Sequence, residues 1–216
     1  VIASFIGISK LEVENSFINY FDKKTEIYKG MKKIDEELGG TTPLNIIIKF
    51  PIKKVNEEQD DDFSEWEEDD NENKAKYWFT RDKMDKIIKV HDYLESLPEI
   101  GKVLSFGSIL RVAEDLNNKK LQSLEIAVLY SKIPPEIKKE IISPYISVEQ
   151  DEARISVRIK DSSENLKRND LIEKINLDLN KKLGFEKEEY RLTGVLILFN
   201  NLLQSLFKSQ ILTLGI

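Results

Sequence analysis

The chain has 216 residues, 40% hydrophobic and 33% charged, which is the make-up of a globular protein long enough to bury a real core. It has no cysteine, which excludes a disulfide framework, a thiolate zinc site and a cysteine nucleophile and leaves the compartment open. The net charge of −6 hides 11 acidic residues packed into Glu57 to Glu72; the rest is mildly basic, with scattered lysines and no aromatic-interleaved stripe, which argues against a nucleic-acid partner.

The start, "VIASFIGIS", carries no initiator Met, no basic head and no small-residue cleavage site. It is therefore neither a native start nor a signal peptide, and both ends are expected to be cut from a longer chain near something apolar. "DKKTEIYKGMKKIDEELGG" predicts a helix with Ile27, Met31, Ile34 and Leu38 at helical spacing, stopped by Gly39 and Gly40. "PLNIIIKFP" places Leu44, Ile46, Ile48 and Phe50 on one face of a strand. The run "EEQDDDFSEWEEDD" reads as a solvated, self-repelling insertion, expected to be mobile and tolerant of deletion. A calcium loop would need a turn-making Gly among its ligands, and none occurs between Gly40 and Gly101.

"TRDKMDKIIKVHDYLESLP" predicts a second helix, with Thr80 able to cap it, Met84, Ile87, Ile88 and Leu94 inward, and Pro98 ending it. "IGKVLSF" is a short strand, and residues 108–142 read as a run of short helices. "YISVEQDEARISVRIKD" is the clearest hairpin: Ala153, Ile155, Val157 and Ile159 point one way, Arg154, Ser156, Arg158 and Lys160 the other. Such clean alternation predicts a strand in the interior of the sheet. "SSENLKRNDLIEKINLDLNKKLG" is a long helix with Ile172, Ile175, Leu179 and Leu183 inward, and "YRLTG" is the last strand.

This order predicts an α+β protein with a ferredoxin-like, split βαβ sheet, helices on one face and a helical insertion. The expected organisation is a lead-in and helix over 1–43 and a domain over 44–194. That domain carries an acidic loop at 52–77 and a helical insert at 108–142. An amphipathic helix follows over 195–216. The longest charge-free run, Leu192 to Phe207, spans 16 residues. It falls short of the roughly 20 apolar residues of a membrane helix, so no stretch is expected to cross a bilayer.

The sequence shows no Gly-rich phosphate loop, no Walker lysine, no paired His and no nucleophile elbow. No catalytic, cofactor-binding or metal-binding residue is nominated, substrate-binding residues are left unknown, and no enzymatic activity or cofactor is expected. His91, the one histidine, lies in line with Met84, Ile87, Ile88 and Leu94 and reads as a core-edge residue without the partners a metal or a base would need. Among 39 carboxylates any acid/base pair would be arbitrary. The insert instead offers Ile109, Leu110, Leu116, Leu121, Leu124, Ile126, Val128, Leu129 and Ile133. Any of these the sheet leaves uncovered would form a contact surface.

The opening "LEVENSFINYF", the strand "PLNIIIKF", the hairpin "YISVEQDEARISVRIKDSS" and the close "YRLTGVLILFNNLLQSLFKSQILTLGI" together resemble a known arrangement. It is the extracytoplasmic loop domain between the first two transmembrane helices of resistance–nodulation–division (RND) superfamily exporters, in the branch akin to the MMPL and Patched proteins. The acidic insertion departs from that pattern. The resemblance implies a soluble porter domain of a proton-driven exporter of hydrophobic or amphiphilic, lipid-like molecules at the periplasmic face of the bacterial inner membrane. It also implies the membrane, through flanking helices, and a neighbouring porter domain of the same exporter as partners; homo-oligomerisation is left open. Proton-relay carboxylates of such exporters sit in membrane helices, so none is expected on this chain. Two other readings stay open. One is a membrane-anchored extracytoplasmic ligand-binding or sensor module. The other is a soluble hydrolase with buried carboxylates, which predicts a pocket where acids of perturbed pKa converge.

Overall fold

The computed structural model describes residues 16–50, 78–163 and 166–214; the acidic run 57–72, with Phe63 and Trp66, lies outside the described residues. After a 3₁₀ turn at Phe17–Tyr20 the elements are α1 (Glu26–Glu37), β1 (Thr42–Lys49), α2 (Arg81–Glu95), β2 (Ile100–Leu104), α3 (Phe106–Asn117) and α4 (Ser123–Lys132). Two short helical turns, Pro135–Ile137 and Lys138–Ile142, lead to β3 (Ile146–Ser147), β4 (Glu152–Ile159), α5 (Arg168–Lys181), β5 (Tyr190–Thr193) and α6 (Val195–Leu214).

The strand with the cleanest alternation does sit inside the sheet. β4 pairs along its full length with β1, Ile155 opposite Ile46, and its other edge takes β2 and the short β3. β5 pairs with the outer edge of β1, giving the order β2-β4-β1-β5 with every pairing antiparallel. This is the α+β split βαβ, ferredoxin-like arrangement, with α3 and α4 inserted between β2 and the β3–β4 hairpin.

One sheet face is apolar because alternate residues share a side. Leu44, Ile46 and Ile48 of β1 and Ala153, Ile155, Val157 and Ile159 of β4 are all buried, as are Met84, Ile87, Val90 and Leu94 of α2 and Leu171, Ile175 and Leu179 of α5. Each fully buried aliphatic side chain contributes roughly 1.5–3 kcal/mol of transfer free energy. Ile88, Ile172 and Leu183 are partly buried at the rim of this core. The opposite face carries Arg154, Arg158 and Arg191. Ile47 is nevertheless buried on that side, flanked by Arg154 and Arg191 in the two ladders.

Two helix starts show Ser or Thr side-chain caps, and that of α2 does not. The Thr25 hydroxyl accepts from the Tyr28 amide at 3.3 Å and starts α1, and Ser105 accepts from the Gly107 amide at 3.0 Å and starts α3. Thr80 occupies the N-cap of α2 in extended geometry, but its side chain makes no capping bond. The start is held instead by the Arg81 amide, which donates to Ser123 Oγ at 2.8 Å, and by the Arg81 side chain on Glu114. The sequence signal thus located the cap correctly and assigned it the wrong bond. The predicted stripe of α1 differs more: Ile27, Ile34 and Leu38 are 57%, 44% and 59% exposed, and the residue the helix buries is Asp35.

Candidate functional site

The opening turn and the first turns of α6 meet at one corner. Ile18 of the opening turn is buried, Tyr20 packs edge-on against Phe199 with ring centroids 6.4 Å apart, and Asn200 donates to Asn169 of α5 at 3.2 Å. β5 turns directly into α6 through Gly194, at φ +117°. A Cβ there would lie 3.0 Å from the Pro43 carbonyl oxygen, so glycine is what lets the helix start against β1.

Beyond that corner α6 leaves the body. Of its apolar residues, Leu196 is fully buried, whereas Val195, Leu198, Leu202 and Leu206 are exposed. Val195–Thr213 is long and apolar enough, by length and composition, to cross a membrane, and 11% of it is buried. This corrects the expectation that no stretch could span a bilayer. A charge-free count stops at Lys208, but the helix runs on past that single charge, and 20 residues at 1.5 Å rise reach about 30 Å.

The helical insert divides its apolar residues between the core and the surface. Leu110, Leu121 and Ile126 enter the core, and Ile109 and Ile133 pack against it. Leu116, Leu124, Val128 and Leu129 are left exposed, together with Val112, Ile137 and Ile141. Sequence periodicity supplied the residues but could not say which helix face the body would claim.

His91 is buried between α2 and the start of α3. His91 Nδ1 lies within hydrogen-bond distance of Ser105 Oγ, 2.9 Å away, Ser105 Oγ also accepts from the Gly107 amide, and Nε2 lies 3.8 Å from Glu95. Burial first, and then the Arg111 guanidinium, hold the imidazole below its ordinary 6.5 against the opposing pull of Glu95. The unfolded chain thus takes up the proton first as pH falls. The stability contributed by neutral His91 is complete above about pH 6.5 and is lost below it. Urea unfolding at about pH 7.5 and about pH 5.5 should show this loss in the native chain, and His91→Gln should lack that step. Among the described residues no group of three or more His, Asp or Glu is placed to hold a metal ion.

The three buried aspartates are each engaged in hydrogen bonds, whereas the buried Glu99 Oε2 has no hydrogen-bond partner among the described residues. Asp35 takes four, described below; Asp161 accepts from Ser16 Oγ at 2.6 Å and from Arg168; Asp178 accepts from the Tyr93 hydroxyl at 2.8 Å and pairs with Lys182 at 2.9 Å. Asp178 is held below its usual range by Lys182 and by Tyr93, whose phenol is pushed up by burial and by that same carboxylate. Asp35 is likewise lowered. A general acid near neutral pH needs a raised carboxyl, and these two are shifted the other way. Comparison of the chain with known protein families, with curated proteins and with solved structures finds no match.

Proposed function

We propose that the chain is the soluble extracytoplasmic porter domain of a proton-driven exporter of hydrophobic or amphiphilic, lipid-like molecules, of the RND type and its MMPL/Patched-like branch. The observation that carries this reading is the corner at Tyr20 and Phe199. There a ferredoxin-like sheet hands its last strand to an apolar helix that stays almost unpacked, beside the described start of the chain. A domain looped out between two membrane helices needs both connections on one side, and the opening turn lying beside the first turns of α6 supports this reading. The uncovered insert face around Val112, Leu116 and Leu124 gives such a domain a surface for a neighbouring porter domain.

These 216 residues contain no cysteine, so in the intact protein, with any cysteine elsewhere replaced, a single cysteine introduced here labels uniquely. With the intact protein in its native membrane, Arg154→Cys is expected to react with a membrane-impermeant maleimide, and Leu206→Cys to be protected. Equal labelling of both would overturn the membrane placement of α6. The coding sequence on either side separates exporter from sensor: the exporter requires further membrane helices and a second domain of the same element order, and a signalling domain in their place would favour the sensor.

A further inference from the structure

At the end of α1 the chain turns through Gly39 and Gly40, at φ +81° and +102°. Gly39 lies backbone to backbone on Gly101, where an added Cβ would stand 2.5 Å from the Gly39 carbonyl. This close approach forms part of the wall of an open cavity of about 610 Å³ between the end of α1 and the β2–β4 edge. Gly101 is also where the β2–β4 register shifts, and the irregularity sets Lys102 directly opposite Arg158. Lys160 lines the same cavity.

Like charges facing each other across a ladder destabilise a sheet. Lys102, Arg158 and Lys160 nevertheless converge with no ion-pair partner among the described residues. The two acids at the rim, Glu36 and Glu37, are matched within their own helix by Lys32 at 3.7 Å and Lys33 at 4.0 Å. The remaining wall is Leu38, and it is the end of a stripe. Ile34 and Ile27 lie one and three turns back on the same helix face, both exposed, and together they make an apolar track about 16 Å long leading from the three cations.

We propose that this shelf binds an anionic amphiphile. Its phosphate or carboxylate head sits on Lys102, Arg158 and Lys160, and its chain lies along Leu38, Ile34 and Ile27. As a substrate site this rests on the porter reading above; as a binding site it does not. Charge complementarity selects an anionic head over a neutral one, and the track selects a chain-bearing molecule over a free oxyanion.

Calorimetric titration of the full chain with dodecyl phosphate, dodecyl maltoside and inorganic phosphate, each below micelle formation, separates these possibilities. Dodecyl phosphate is expected to bind about tenfold or more tighter than either other probe, the scale of a few charge-assisted hydrogen bonds. The double variant Lys102→Glu/Arg158→Glu should bring it to the level of the maltoside. The double variant Ile34→Ser/Leu38→Ser should weaken dodecyl phosphate and leave inorganic phosphate unchanged. All four positions are exposed, so folding is preserved and is checked by circular dichroism. Equal binding of maltoside and phosphate amphiphiles, indifference to charge reversal, or inorganic phosphate binding as tightly as dodecyl phosphate would each overturn the proposal. None of these outcomes touches the maleimide result on α6, so the shelf and the porter reading fail separately.

Discussion

Asp35→Ala is expected to be among the most damaging single changes outside the apolar core, costing about 3–5 kcal/mol and lowering the melting temperature by about 10 °C. Asp35 is fully buried on a helix whose apolar residues face outward. Its Oδ1 accepts from the Thr41 amide at 2.7 Å, the Thr41 hydroxyl at 2.6 Å and the Asp161 amide at 3.0 Å, and its Oδ2 from the Ser162 amide at 2.7 Å. One carboxylate thus ties α1, the entry to β1 and the exit from β4. Truncation leaves the buried Asp161 amide and three part-buried donors without their acceptor, and each buried loss costs about 1–3 kcal/mol. Asp35→Asn should recover part of the loss, since its oxygen can serve the Oδ1 donors while its amide group meets the Ser162 amide donor to donor. Burial pushes the Asp35 carboxyl up, but the bonds from Thr41, Ser162 and Asp161 outweigh it and hold the group below its ordinary 3.8. The unfolded state therefore binds the proton first. The stabilisation is present above about pH 3.8 and is lost as pH falls through the folded value, so Asp35→Asn should flatten the acid limb of the stability curve. Equal stability of Asp35→Ala and the native chain would remove this tie from the account of the fold.

What was legible in the sequence was whatever periodicity controls. β4 alternates Ala153, Ile155, Val157 and Ile159 against Arg154, Ser156 and Arg158, which fixed its faces and its central place. The stripe of α1 shows the limit of the same logic. Ile27, Ile34 and Leu38 have helical spacing and the helix forms, but spacing cannot say whether a second surface exists to cover them. Here the anchoring is polar, through Asp35, in a chain where 39 acids give no hint which one is buried. The shelf was hidden for a related reason. Arg158 and Lys160 were legible as the outward side of β4, whereas Lys102 reaches them through an irregularity at Gly101 that a seven-residue strand signal does not display. α6 was misjudged because a rule about charge-free length ignored that one lysine in twenty residues does not end an apolar helix. Its expected start at 195 agrees with the structure, where Gly194 takes positive φ in close backbone contact with β1.

Phe79→Ala is expected to cost about 3–5 kcal/mol, the range of aromatic truncations in a core. The sequence reading passed over Phe79, the residue before the N-cap of α2. "YWF" followed by Thr80 and Met84 carries the pattern of a hydrophobic staple, and Phe79 and Met84 are both buried at its two positions. Phe79 stacks tilted on Tyr130 of α4 with centroids 4.4 Å apart, lies 5.4 Å from Phe106 of α3 and meets Trp78 edge-on at 5.0 Å. One ring therefore joins the entry of α2 to both helices of the insert. The polar contacts at the same seam, Arg81 with Glu114 and with the Leu121 carbonyl at 3.0 Å, orient the insert but exchange water for protein partners and contribute less on balance. If the insert is held mainly by this seam, Phe79→Ala should loosen α3 and α4 before the sheet unfolds. Hydrogen exchange should then show faster amide loss over 106–132 than over β4. Leu116→Ala, at a residue 81% exposed on the outer side of α3, should change stability by no more than about 0.5 kcal/mol. Exchange that rises equally in α3, α4 and β4 would mean that insert and sheet form a single cooperative unit. A Phe79→Ala cost below about 1 kcal/mol would show that the aromatic cluster is not what fastens the insert.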